Sequence, residues 1–328
     1  MSNVVLQVIN LQVRFSGRSG DVKAVSGVDF ELHEGEILGI VGESGCGKSA
    51  MAKSLVQLLP SYGVHLEGEV LFDGKNLLQC SEKQLRAIRG KEIGFVFQDP
   101  MTSLNPTMTI GDQIIEGFLK QNPHTSRKEA LSHAIELLNI VGISRAPERV
   151  FEYPHTLSGG MRQKITIALA LSCSPKILIA DEPTTALDPT VQAQILSFIS
   201  SLQKSKKTSI LLITHDLSVV AGFCDRVIVM YAGKIVEVAP VEELFYNPKH
   251  PYSQRLLQAI PRIDLPKDRT LFPIDGNPPL LNNPIEECAF EPRCLTSLPV
   301  CKEKLPALNL VERGCRSRCW LHHKEASP

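Results

Sequence analysis

Gly42-Glu43-Ser44-Gly45-Cys46-Gly47-Lys48-Ser49 is the stretch that decides how this chain folds. It follows an apolar run at 36–41 and leads into a helical stretch, the strand–loop–helix setting of a P-loop. The glycines let backbone amides close around phosphate oxygens, and a helix start adds a favourable dipole. Lys48 stands where it would reach β- and γ-phosphates, and the Ser49 hydroxyl where it would bind Mg²⁺. A chance glycine-rich turn is the competing reading, and it leaves the flanking strand and helix without a purpose.

Three further constellations lie downstream. The apolar run 177–180 ends in Asp181-Glu182. Charges at the end of a buried strand are costly unless they are paired or do chemistry. Asp181 fits the Mg²⁺-holding acid of P-loop enzymes, and Glu182 a general base for the attacking water. Two solvated acids at a strand end are the plainer alternative, and the upstream P-loop weighs against it. Leu157-Ser158-Gly159-Gly160-Met161-Arg162-Gln163 puts a serine and two glycines before a helix, which is either a second anion site or simply a flexible N-cap. His215 follows the apolar run 210–213 and Thr214. A lone histidine is more often structural, but this one sits at a strand end beyond the other motifs.

In this order the motifs resemble those of the ABC transporter ATPases, whose signature is the Leu-Ser-Gly-Gly-x-x-Gln heptad. The resemblance covers residues 1–245 and implies roles for each match. Ser158, Gly159, Gly160 and Gln163 would face the γ-phosphate held by a partner subunit's P-loop. Gln98, after the strand candidate 93–97, resembles the Q-loop glutamine, which senses Mg²⁺ and water. Ala186-Leu187-Asp188 resembles the D-loop, and His215 the switch histidine. Phe15 is the candidate for stacking on adenine, with a core role as its alternative.

The rest of the chain fits an α/β protein. Strands are expected within 4–15, 28–32 and 36–41, with a loop over 16–21 and a hairpin at 69–77 around Asp73-Gly74. Ser126-Arg127-Lys128-Glu129 reads as a capping box, followed by apolar residues at helical spacing from Ala130 to Val141 and a stop at Gly142. A second helix is expected just after Gly160. Runs 177–180 and 210–213 read as buried parallel strands around a helix near 191–203, and 227–239 as a hairpin at Ala232-Gly233. After about residue 246 prolines recur, Pro266, Pro273 and Pro284 among them, and periodicity fades, so a boundary is expected there.

Composition narrows the function classes. The 328 residues carry 35 Lys plus Arg against 35 Asp plus Glu, which does not indicate a nucleic-acid binder. No apolar run approaches the roughly 20 residues that span a bilayer, and no signal peptide is expected. A membrane role would therefore act through partner subunits. Of nine cysteines, Cys288, Cys294, Cys301, Cys315 and Cys319 crowd the C-terminal stretch. That crowding reads as metal or cluster ligation before it reads as a disulfide framework.

A narrower resemblance covers the whole chain. The segments 98–106, 153–160 and 181–188, together with His250-Pro251-Tyr252, are similar to the dipeptide, oligopeptide and nickel uptake ATPases. In the tail of that family, cysteines at such spacings hold a [4Fe–4S] cluster, which implies Cys288, Cys294, Cys301 and Cys319 as ligands. Zinc and free buried thiols stay open, and Cys315 competes with Cys319 for the fourth place.

The resemblance implies a P-loop ABC ATPase fold with an antiparallel β-subdomain, a helical subdomain and a C-terminal extension. It places an ATPase domain at 1–245 and the extension at 246–328. It implies MgATP sandwiched between two homologous or identical ATPase subunits, two membrane permeases and an extracytoplasmic peptide-binding protein. The expected place is the cytoplasmic face of the inner membrane, and the expected work is powering peptide import. A nickel importer and a non-transport ABC ATPase are the alternatives.

Overall fold

The computed structural model describes residues 3–17, 20–184, 187–260, 274–282 and 285–323. Ala186 of the D-loop match, Pro266, Pro273 and Pro284 lie outside them. In chain order the strands are β1 (Val4–Gly17), β2 (Gly20–His33), β3 (Ile37–Val41), β4 (Val64–Phe72), β5 (Lys75–Asn76), β6 (Ile93–Val96), β7 (Ile177–Asp181), β8 (Ser209–Ile213), β9 (Arg226–Tyr231), β10 (Lys234–Pro240), β11 (Asn309–Glu312) and β12 (Cys315–Ser317). The helices are α1 (Lys48–Leu55), α2 (Glu82–Ile88), α3 (Pro100–Ser103), α4 (Ile110–Gln121), α5 (Arg127–Ile140), α6 (Ala146–Arg149), α7 (Gly159–Leu171), α8 (Pro189–Lys206), α9 (Leu217–Phe223), α10 (Val241–Tyr246) and α11 (Pro251–Gln258). Among the described residues, no helix is long and apolar enough to cross a membrane.

The chain splits into two compact units, one made mainly of residues 79–213 and the other of 6–31, 38–78 and 214–328. In the first, β6, β7 and β8 run parallel, with Val96 opposite Ala180 and Asp181 opposite Ile213. β7 and β8 are buried along their whole length, as their unbroken apolar runs require. A separate helical core gathers Ile110 and Ile114 of α4, Ala130, Ala134, Leu137 and Leu138 of α5, Val150, and Ile165 of α7. Small alanines let α5 approach closely. The Ser126 capping box is present as expected, with Ser126 Oγ accepting from Glu129 N–H at 3.2 Å and Glu129 Oε2 accepting from Ser126 N–H at 2.8 Å. Gly142 ends the helix at φ 74°.

In the second unit, one antiparallel sheet has the order β2-β1-β4-β5. The Asp73-Gly74 turn has φ 46° and 78°, the left-handed pair that a two-residue hairpin demands. A structural difference from the expectation appears at 16–21. The strands run to Gly17 and resume at Gly20, and Arg14 Nη1 pairs with Asp21 Oδ2 across them at 2.6 Å. Polar composition makes 16–17 and 20–21 read as loop although they belong to the strands. The other strands of this unit join as β3 parallel to β9, β9 antiparallel to β10, then β12 and β11. The C-terminal residues thus extend the β9–β10 hairpin, in the same unit as the P-loop.

The root of α11 is built on a buried carboxylate. Glu237 of β10 is fully buried, and its two oxygens accept from the N–H groups of Lys249 and His250 at 2.6 and 2.9 Å. Burial raises its pKa, while those amides pull the other way. His250 then caps the helix, its Nδ1 accepting from Tyr252 N–H at 3.0 Å.

Candidate functional site

The P-loop takes its shape from glycines at two close approaches. Gly42, at φ 154°, follows β3, and a Cβ there would meet the Met230 carbonyl oxygen at 2.2 Å. Gly47, at φ 103°, precedes α1, and its Cβ would meet the Ala24 carbonyl oxygen at 2.0 Å. Only glycine fits at either. Gly45 is also left-handed, at φ 80°. Lys48 is buried, and its ammonium donates to the carbonyls of Gly42 at 2.7 Å and Glu43 at 3.0 Å. Its charge is thus held over the loop by backbone oxygens. Ser44 is exposed and Ser49 half-buried, while Cys46 is buried, which pushes its thiol pKa up. His215, exposed, follows β8 at Thr214, whose N–H donates to the Ile40 carbonyl at 3.1 Å. Phe15 is half-buried in β1, opposite Val64.

In the other unit, the register of parallel strands brings the catalytic candidates together. Val96 faces Ala180, so the residues two steps on, Gln98 and Glu182, emerge side by side. Gln98 Nε2 donates to Glu182 Oε2 at 3.0 Å. Asp181 is completely buried at the end of β7, and Glu182 is 9% exposed. Glu182 adopts φ 50°, a left-handed conformation that costs a non-glycine residue about 1 kcal/mol and gathers at functional sites. Its N–H donates to the Ile213 carbonyl at 2.9 Å, which anchors the turn.

Ser158 and Gly159 are exposed at the start of α7, where Ser158 Oγ caps the helix by accepting from Met161 N–H at 3.3 Å. Gly160 is half-buried. Gln163 is buried, and its Nε2 meets no acceptor among the described residues. Asp188 caps α8, accepting from Val191 N–H at 3.0 Å.

Sequence reasoning missed two residues that hold the P-loop. Arg293 forms a two-pronged ion pair with Glu43, Nη1 to Oε2 at 2.7 Å and Nη2 to Oε1 at 2.9 Å. The Tyr252 hydroxyl accepts from Glu43 N–H at 2.9 Å. An acid inside a phosphate-binding loop calls for a cation nearby. That signal was in the sequence, but it did not say which cation.

The tail cysteines divide into two neighbourhoods. Burial lifts the Cys288 thiol to about 11, and the charges of Cys301 and Cys294 add to it. Burial lifts Cys319 to about 12, with Cys288, Cys294 and Cys301 adding. Burial also raises Cys315, but its charged neighbours are Glu243, Lys249, Glu312 and Glu237. Among the described residues, no three His, Cys, Asp or Glu side chains form a group that could hold a metal ion.

The family described as ABC transporter matches residues 25–185, and the one described as oligopeptide/dipeptide transporter, C-terminal region, matches 236–301. The dipeptide transport ATP-binding protein DppD of Bacillus subtilis (strain 168) is 48% identical over 98% of this chain and 96% of its own. The chain belongs to this family of ABC transporter ATP-binding proteins. The oligopeptide transport ATP-binding protein OppD of Salmonella typhimurium (strain LT2) is 47% identical over 97% of this chain and 94% of its own. A solved dimer of an ATP-binding cassette in a post-hydrolysis state, bound to ADP and phosphate, matches with a TM-score of 0.66 at 28% identity. It covers 72% of this chain and 98% of that one. Membership makes the protein an ATPase of the P-loop ABC fold, using ATP and Mg²⁺ and serving a membrane transporter peripherally.

Proposed function

We propose that this chain binds and hydrolyses ATP to drive import of di- or oligopeptides through two membrane permeases fed by an extracytoplasmic peptide-binding protein. It would act at the cytoplasmic face of the inner membrane, in a pair with an identical or homologous ATPase. The observation that carries the reading is near-full-length identity to peptide-transport ATPases, together with the match of residues 236–301 to the oligopeptide/dipeptide transporter C-terminal region. Residues 1–245 would form the ATPase domain and 246–328 the extension.

Each residue has a proposed part. Gly42, Glu43, Ser44, Gly45, Cys46 and Gly47 wrap the phosphates, Lys48 binds the β- and γ-oxygens, and Phe15 stacks on adenine. The oxygen-bearing side chains of Ser49, Gln98 and Asp181 suit a hard cation. Mg²⁺, when bound there, neutralises developing phosphate charge. Glu182 takes the proton of the attacking water, oriented by Gln98. His215 contacts the γ-phosphate. Ser158, Gly159, Gly160, Gln163 and Asp188 address the nucleotide on the second subunit. Phosphoryl transfer then depends on positioning and charge stabilisation.

In the tail, Cys288, Cys294, Cys301 and Cys319 are proposed to hold a [4Fe–4S] cluster. The Cys288 N–H donates to the Cys301 carbonyl at 3.0 Å, which puts those two close together, while Cys315 lies in β12. The bound cluster supplies a covalent cross-link to a segment with little core of its own.

The test is ATP turnover by the assembled complex, with peptide-loaded or nickel-loaded binding protein added. Stimulation by peptide and none by Ni²⁺ is expected. Stimulation by Ni²⁺ alone would move the cargo to nickel.

A further inference from the structure

We propose that Arg293, far along the C-terminal extension, is a positioning residue for the P-loop: it fixes Glu43 and so sets the loop's shape for the triphosphate. The proposal rests on the reading of that loop as the ATP site.

Glu43 is held at three points. Its carboxylate takes both prongs of Arg293, its N–H donates to the Tyr252 hydroxyl, and its carbonyl accepts from the Lys48 ammonium. Lys48 is the cation that meets phosphate, so whatever fixes the Glu43 backbone also fixes where Lys48 waits.

Arg293 is itself rigidly mounted. Its side chain is only 4% exposed. Besides Glu43, Nη1 donates to the Tyr231 hydroxyl at 3.2 Å, Nη2 to the Ile274 carbonyl at 3.2 Å and Nε to the Asp275 carbonyl at 2.9 Å. These bonds match the donor capacity of a guanidinium, whose planar fork suits a carboxylate. The aromatic rings of Tyr231, Tyr252 and Phe290 pack together beside it, with centroids 4.6–5.3 Å apart. Lysine could not reproduce the two-pronged contact. A guanidinium with so few solvent contacts and every partner fixed has little freedom to leave, so the loop is braced before nucleotide arrives.

Preorganising a binding loop strengthens binding without touching the chemical step. The test is calorimetric titration of the full chain with MgATP and MgADP, then steady-state kinetics of the assembled complex. Arg293→Gln should weaken MgATP binding about ten-fold, raise KM in step and leave kcat at saturating ATP within about two-fold. Arg293→Lys should recover part of the loss. Glu43→Gln should weaken MgATP binding at least as much as Arg293→Gln, and the double variant should bind no worse than Glu43→Gln alone, because Arg293 acts through Glu43. Tyr252→Phe, which keeps the ring and loses only the acceptor, should weaken MgATP several-fold and serves if Arg293→Gln does not fold. Wild-type affinity in both Arg293→Gln and Tyr252→Phe would overturn the proposal, as would additive losses in the double variant or a fall in kcat with KM unchanged. If the wild-type chain binds no MgATP, the reading of the loop falls and this proposal with it. If the wild type binds and the variants bind equally, this proposal falls alone.

Discussion

Glu182 has what a base acting on water needs: near-complete burial, a fixed backbone turn and a neighbouring amide that orients one oxygen. Glu182→Gln keeps the shape and loses the proton acceptor. Turnover of the assembled complex should drop about 10²–10⁴-fold, the usual worth of a general base, with MgATP affinity retained. Near-normal turnover would remove Glu182 from the role. Lys48→Ala should behave differently, because its proposed contact with phosphate is one made in the ground state. Binding should weaken by about 1.5–3 kcal/mol in a titration, and unchanged affinity would count against it. Both candidates could be picked out of the sequence because their signal is local: a glycine-framed lysine, and an acid at the end of an apolar run. The Gln98–Glu182 hydrogen bond was not legible in that way, since only the register of β6 against β7 creates it. Arg293 was less legible still, as it lies 250 residues from Glu43.

Among elements, those with a local code came through best. The capping box of α5, the Asp73-Gly74 hairpin and the apolar runs of β7 and β8 appear where periodicity and turn chemistry placed them. The strand ends at 16–17 and 20–21 did not, because they carry a polar, ion-paired pattern rather than an apolar one. Ser126→Ala should cost about 1 kcal/mol in thermal or denaturant unfolding by stripping the cap of α5, and no loss would mean the cap is redundant. The α11 cap carries a pH dependence. Burial lowers the His250 pKa from 6.5 to about 3, a hydrogen bond to the Arg318 backbone offsets part of this, and the charges of His322 and Arg318 lower it further. Glu237 accepts from His250 N–H, and Phe290 lies 6.0 Å away between ring centroids. The unfolded chain therefore takes up a proton below pH 6.5 that the folded chain refuses until about 3. Stability from this group is full above 6.5 and falls as pH drops through that window, by up to about 1.4 kcal/mol per unit. Cleavage by protease beyond residue 246 should be faster at pH 5 than at pH 7.5, and equal rates would argue against the cap.

At the scale of the whole molecule, the order of motifs along the chain carried the ATPase reading, and near-full-length kinship carried the peptide-transport reading. What neither could convey is that the extension joins the unit holding the P-loop, by strand pairing at β10–β12 and by Arg293 on Glu43. Cys288 and Cys294 flank the short turn that carries Arg293. Replacing Cys301 by Ser should bleach the absorbance of anaerobically purified protein and expose the extension to protease, while MgATP still binds. Tightly held zinc without iron would assign the thiols to zinc instead. The most direct test of the central claim is uptake into liposomes holding the ATPase, two permeases and a peptide-loaded binding protein. Labelled dipeptide, labelled oligopeptide and Ni²⁺ are followed with MgATP enclosed. The account predicts peptide uptake that needs ATP and vanishes with Glu182→Gln in every ATPase copy. Peptide uptake that persists in that variant, or ATP-dependent uptake of Ni²⁺ alone, would contradict it.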